Sequence, residues 1–229
     1  MTHTGVPETF DVAVIGGGPS GATAATALAR QGHSVLLLDR PGRIKPCGGA
    51  IPPRLIEDFA IPDELICARI GSARMISPSD AKVDMPIDGG YVGMVNRETF
   101  DEWLRDRAAL AGADRRNGVF LSLSRDDGAP LMSYKPQGEE AARTVRARVV
   151  IGADGANSGV ARDAMPEEKK LPFVFAYHEI VRAPSEPTAN YDGTRCDVYY
   201  QGRLSPDFYA WVFPHGETAS VGMGSAHKG

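Results

Sequence analysis

The chain has 229 residues, a formal net charge of −4 and 42% hydrophobic residues. That composition allows one large or two smaller globular domains, and without a basic run it offers no surface for nucleic acid. No apolar run reaches spanning length, and the N-terminus lacks the charged-then-apolar pattern of a secretion signal. Cys47, Cys67 and Cys196 are odd in number and widely spaced, which argues against a disulfide framework or a zinc site, so a reducing, cytoplasmic setting is expected.

In chain order, residues 10–15 (FDVAVI) form a short apolar run suited to a parallel strand covered on both faces. Gly16, Gly18 and Gly21 follow as G-x-G-x-x-G, the first for a tight turn, the second for close approach of a pyrophosphate, the third for close helix packing. Pro19 suits a first helical turn, Ala22, Ala25, Leu28 and Ala29 make one small apolar face, and Gly32 stops the helix. A second strand over 34–39 ends on Asp39, eighteen residues after Gly21, where a carboxylate can accept the ribose hydroxyls of an adenosine dinucleotide.

Residues 41–54 are rich in proline and glycine and read as a long irregular connection. There, Gly48 and Gly49 allow close backbone approach to something flat, beside the thiol of Cys47; a plain surface loop fits equally. Short helices are expected over 55–59 and 63–68, and strands over 73–76, 82–85 and 91–95. Asn96 then caps a helix over 97–111, with Phe100, Leu104, Ala108 and Ala111 on one face. Arg97 opposes the dipole at its start, which fits either a phosphate or flavin contact or a solvated arginine.

Residues 119–123, 131–134 and 144–148 read as a small antiparallel meander, and 149–151 as a further apolar strand running into a glycine turn with Asp154 at its tip. Such carboxyl-end loops converge on the ligand crevice of an open parallel sheet, although D-G alone is also an ordinary turn. From residue 173 the pattern changes to strands over 173–181, 196–201, 208–213 and 218–223 without helices, an antiparallel sheet. Alternation puts Tyr209, Trp211 and Phe213 on one face, as core or as pocket wall.

Three motifs together resemble the geranylgeranyl reductase family of flavoproteins, within the larger group that includes aromatic hydroxylases. They are GGGPSG with the distal acid of LLLDR, VVIGADGANSGVAR over 149–162, and PDFYAWVFPHGETASVGMG. The last matches P-x-x-Y-x-W-x-F-P through Pro206, Tyr209, Trp211, Phe213 and Pro214 and reaches G-x-G at Gly222 and Gly224. KPCGG, SARMISPSD and the YHEIVRAP run look closest to the chlorophyll and bacteriochlorophyll branch, whose members saturate a geranylgeranyl chain to phytyl.

The resemblance implies a Rossmann-type FAD-binding domain over 1–165, including the meander at about 119–148, and part of an antiparallel substrate domain over 166–229. It implies FAD on Gly16, Gly18, Pro19, Ser20, Gly21, Asp39, Arg40, Cys47, Gly48, Gly49, Arg97 and Asp154. Tyr209, Trp211, Phe213 and Pro214 would line the prenyl pocket, and Cys47 would donate a proton or contact the flavin. A third flavin motif, G-D, and a helical C-terminal part are expected beyond residue 229, so the chain reads as truncated. NADPH or reduced ferredoxin would supply electrons, the latter as a partner protein. A prenyl lipid substrate implies work at a membrane surface, in a photosynthetic setting. An aromatic monooxygenase and an inactive flavin-binding fragment are the competing readings.

Overall fold

The computed structural model describes residues 7–40, 42, 47–167, 172–186 and 188–226. The N-terminal stretch carries β1 (Glu8–Ile15), α1 (Pro19–Arg30) and β2 (Val35–Asp39). Next come β3 (Ala50–Ile51), α2 (Pro53–Asp58), β4 (Ile66–Ile70), β5 (Ser72–Ile76), β6 (Lys82–Pro86) and β7 (Val92–Val95). Then follow α3 (Arg97–Leu110), β8 (Asp114–Asp126), β9 (Ala129–Pro136), β10 (Arg143–Gly152) and α4 (Gly159–Ala164). The last stretch holds β11 (Phe175–Arg182), β12 (Arg195–Tyr199), β13 (Ala210–His215) and β14 (Thr218–Ser225).

These elements form two compact units, each drawn from two separate stretches: residues up to 43 with 101–171, and 44–100 with 172–229. The consecutive division at 165 expected from the sequence differs from this. Residues 72–76 belong with the C-terminal strands because β5 pairs in parallel with β12, from Ser72 opposite Arg195 to Ile76 opposite Tyr199.

In the first unit β8, β2, β1 and β10 run parallel in that order. Strand β9 is antiparallel to both β8 and β10 and closes the five strands into a ring. Alternation splits the apolar run of β1 and β2 between two cores, as a sheet covered on both faces requires. Ala13, Ile15, Leu36 and Leu38 pack with Met132, Tyr134 and Val145, whereas Val12, Val14, Val35 and Leu37 pack with Ala25 of α1 and Ala108 of α3. The expected break between 144–148 and 149–151 does not occur. Strand β10 is continuous because its first residues pair with β9 and residues 145–152 run along β1.

In the second unit the sheet order is β11-β14-β13-β12-β5-β6, antiparallel except at the β12/β5 pair. A small sheet of order β3-β7-β4 accompanies it. Only Asp63–Leu65 of the helix expected over 63–68 is helical, as a single 3-10 turn; Ile66–Ile70 is strand β4, with Ile66 and Ile70 buried against β7. The α/β architecture, a Rossmann-type parallel sheet with a separate and largely antiparallel one, is the one expected.

Candidate functional site

In the first unit the carboxyl ends of β1, β2 and β10 meet at the glycine turn. Gly16 N donates to Leu38 O at 2.8 Å, and Ala153 N to Ile15 O at 2.7 Å. Gly16 takes φ +104°, and a Cβ there would stand 2.3 Å from Ala153 O. Gly21 is the closest approach, because its Cβ would stand 1.8 Å from Gly16 O. Gly18, by contrast, has nothing within 4 Å of a Cβ and an ordinary φ of −70°. It is the cap residue of α1, whose first N–H groups have no partner within the helix. Pro19 and Ser20 begin α1 and are exposed.

A cleft of about 220 Å³ lies beside the turn, bordered by Gly16, Asp39, Arg40, Asp154, Asn157 and Arg162. Asp154 borders it, but its carboxylate is turned to α4. Its Oδ1 accepts from the Ser158 hydroxyl and its Oδ2 from Gly159 N at 2.7 Å and Val160 N at 3.2 Å. A carboxylate on the first amides of a helix is held by charge-assisted hydrogen bonds and the helix dipole. The loop of 153–158 is thereby fixed beside Gly16.

Asp39 ends β2 with both oxygens engaged: Oδ1 accepts from Arg40 N at 2.8 Å, and Oδ2 from Arg105 Nη1 at 3.2 Å. Arg105, on α3, also donates to Gly17 O at 3.3 Å and to Glu102 Oε2 at 2.8 Å. Side-chain exposures of 13% for Arg105 and 19% for Asp39 make this a sheltered pair. Sequence reading missed Arg105; no local spacing marks a partner 66 residues away.

In the second unit Cys47, Gly48 and Gly49 lie against β13. A Cβ at Gly48 would stand 2.4 Å from the Phe213 ring and 3.4 Å from Trp211 Nε1. Tyr209, Trp211 and Phe213 form a ladder, with ring centroids 6.0 and 6.2 Å apart. Trp211 Nε1 donates to Ser220 Oγ at 3.0 Å, which leaves its ring otherwise apolar. Gly222 lies beneath that ring, since its Cβ would stand 2.4 Å from Trp211 Cζ2. Burial raises the Tyr209 phenol above its usual range, with Tyr200 and Cys47 as further causes. Pro214 departs from expectation: it is fully buried, and strand alternation puts it on the face opposite Trp211 and Phe213. Arg97, the first residue of α3, is half-buried and engaged with other residues. Of the loop expected over 41–54, residues 41 and 43–46 lie outside the described residues, as do residues 168–171.

Next to the ladder is a polar cluster, centred on a buried histidine, that the sequence did not reveal. His215, 8% exposed, has Nε2 at 2.9 Å from Gly48 O. Its Nδ1 is 3.1 Å from Asn96 Oδ1 and 3.3 Å from Cys67 Sγ. The Asn96 side chain, expected as a helix cap, is turned to this ring. Burial lowers the proton affinity of His215 below its ordinary value; the Gly48 hydrogen bond opposes this, and His178 adds to it. Between the ordinary value of 6.5 and the lower folded one, the unfolded chain binds the extra proton, so this stabilisation is complete above 6.5 and lost as pH falls. The Tm of the wild-type chain is therefore expected to drop more steeply between about pH 7 and 5 than that of His215→Gln. Parallel curves would remove the assignment.

The sequence model of a family described as FAD dependent oxidoreductase matches residues 11–56, and that of the FAD binding domain matches 53–203. The geranylgeranyl diphosphate reductase of Rhodobacter capsulatus is 61% identical over 218 residues, 94% of this chain and 54% of the relative. The chloroplastic geranylgeranyl diphosphate reductase of Arabidopsis thaliana is 39% identical, over 95% of this chain and 49% of its own length. The crystal structure of a geranylgeranyl bacteriochlorophyll reductase-like protein from Thermoplasma acidophilum superposes with a TM-score of 0.80 at 28% identity, covering 96% of this chain and 57% of that one. The chain thus spans about half the length of the curated relatives it matches.

Proposed function

We propose, for a chain that belongs to the FAD binding domain family, that it is the cofactor-binding part of a reductase that saturates the carbon–carbon double bonds of a geranylgeranyl chain. The observation that carries this reading is the Cys47–Gly48–Gly49 turn laid on the Tyr209, Trp211 and Phe213 ladder, in a chain 61% identical to a geranylgeranyl diphosphate reductase. The residues of the first unit fit FAD. Gly18 leaves open the space a Cβ would fill, Asp39 ends β2 where a ribose-binding acid is expected, and the Asp154 loop is held against Gly16. Gly16, Gly18, Pro19, Ser20 and Gly21 would hold the pyrophosphate region, with Asp39 and Arg40 at the adenosine end. Asp154 would serve through the loop it caps. Cys47, Gly48, Gly49 and Arg97 would meet the rest of the cofactor.

When bound and reduced, FAD supplies a hydride to one alkene carbon. The chain's tasks are to orient the alkene, exclude water and deliver a proton to the second carbon. Tyr209, Trp211 and Phe213 offer an apolar, rigid surface to the prenyl chain, and an unactivated alkene needs no oxyanion hole. Cys47, half-buried beside that surface, is the proton donor of this reading. Cys47→Ala is expected to lower turnover by roughly a hundredfold, the usual scale of a lost general acid, and FAD occupancy by much less. Unchanged reduction kinetics would sink that role.

The substrate is a geranylgeranyl diphosphate or a pigment-esterified chain, and NADPH or reduced ferredoxin is the electron donor. Among the described residues no helix is long and apolar enough to cross a membrane, and contact with the lipid substrate is proposed to be peripheral. The test is mass spectrometry of a C20 prenyl substrate incubated with FAD-loaded, dithionite-reduced protein. Masses rising by pairs of hydrogens support the reading; no gain, or a hydroxylated product with oxygen uptake, overturns it.

A further inference from the structure

The Cys47–Gly48–Gly49 turn is tied down at both glycine carbonyls. Gly49 O accepts from Val95 N at 2.9 Å, and Gly48 O stands 2.9 Å from His215 Nε2. A carbonyl oxygen only accepts, so Nε2 carries a proton. In a neutral ring Nδ1 is then bare and needs a donor of its own. The Cys67 thiol, 3.3 Å away, is such a donor, though it shares its one proton with Met94 O, which accepts from it at 3.2 Å. Burial raises the Cys67 thiol, so it keeps the proton it must offer. Asn96 flanks the same nitrogen at 3.1 Å, and its amide, turned over, presents N–H to it. The ring and the turn are in close contact, because a Cβ at Gly49 would stand 2.9 Å from His215 Cε1 and 2.3 Å from Val95 O. Gly49 also takes φ +73°, so both space and backbone require glycine there.

We propose that His215 is a positioning residue: Cys67 and Asn96 hold it in the Nε2–H form, and that N–H fixes the Gly48 carbonyl and with it the place of Cys47 beside Tyr209. Three residues far apart in the chain thus act on one turn. Cys67 is neither nucleophile nor disulfide partner in this arrangement; with Asn96 it supports the tautomer that Gly48 O selects. The inference rests on the functional reading only in making the place of Cys47 matter to reduction.

Two measurements on the purified 229-residue chain test the clamp, and neither requires FAD or substrate. Nitrogen-15 long-range correlation spectra at neutral pH are expected to show His215 as the Nε2–H tautomer, with Cys67→Ala weakening that preference. An Nδ1–H tautomer in the wild-type chain overturns the proposal whatever the variants do. In the second measurement, iodoacetamide labelling of Cys47 is followed by peptide mass. His215→Phe, which lacks the donor, is expected to label about three- to tenfold faster, the change in open population from one lost hydrogen bond. His215→Gln keeps an N–H within reach of Gly48 O and is expected to label within about twofold of wild type. Equal rates in all three proteins, or equally fast labelling of both variants, overturn the proposal, the latter by assigning the effect to ring packing. Failure of wild-type protein to reduce a prenyl chain would refute the functional reading and leave these two results unaffected.

Discussion

Gly21→Ala is expected to lower Tm by roughly 3–10 °C and to weaken FAD at least about tenfold. Its new Cβ would meet Gly16 O at 1.8 Å and Ala153 Cβ at 3.0 Å. The first of these is backbone, which no rotamer change can move aside, so α1 must shift away from the turn. Gly18→Ala is the matched control. Nothing stands within 4 Å of that Cβ, and φ −70° suits alanine, so stability should change by less than about 1 kcal/mol. FAD affinity should nevertheless fall, because the methyl group fills the space proposed for the pyrophosphate. Calorimetry and flavin fluorescence titration separate the two effects. If Gly18→Ala binds FAD as the wild type does, the pyrophosphate does not approach Gly18.

The part of this site legible in the sequence is the part built from short-range contacts. The run from Phe10 to Asp39 specifies strand, turn, helix and strand through local periodicity and glycine placement, and the structure follows it to within a residue or two. The face carrying Tyr209, Trp211 and Phe213 followed from alternation, and so did the burial of Phe100, Leu104 and Ala108 on α3 from helical spacing. Periodicity says which face is buried and is silent about what covers it. Nothing near Ser72 marks the parallel pairing to Arg195 that moves residues 44–100 into the second unit. The Cys67–His215 contact joins positions 148 residues apart, and Cys67 in the sequence is only an unpaired thiol. Asp154 shows the converse. Its motif was legible, yet its carboxylate serves the first amides of α4, a use that depends on where Ser158 begins the helix.

Arg105→Met is expected to weaken FAD by about ten- to a hundredfold, the loss of a sheltered charge-assisted hydrogen bond on the group proposed to hold the ribose. The arginine straps three points together: Gly17 of the turn, Asp39 at the end of β2, and Glu102 on its own helix. With the cation gone, Asp39 Oδ2 loses Arg105 while Oδ1 keeps Arg40 N, so the carboxylate is free to turn about its remaining bond. Asp39→Asn should weaken FAD by a similar amount, since an amide accepts at one atom only. The double variant distinguishes an indirect role from a direct one. If Arg105 acts by aiming Asp39, removing it in the Asp39→Asn background adds less than about 0.5 kcal/mol, and the single effects are strongly non-additive. Additive losses would instead mean that Arg105 meets the cofactor itself, and the strap on Gly17 and Asp39 would be secondary to that contact.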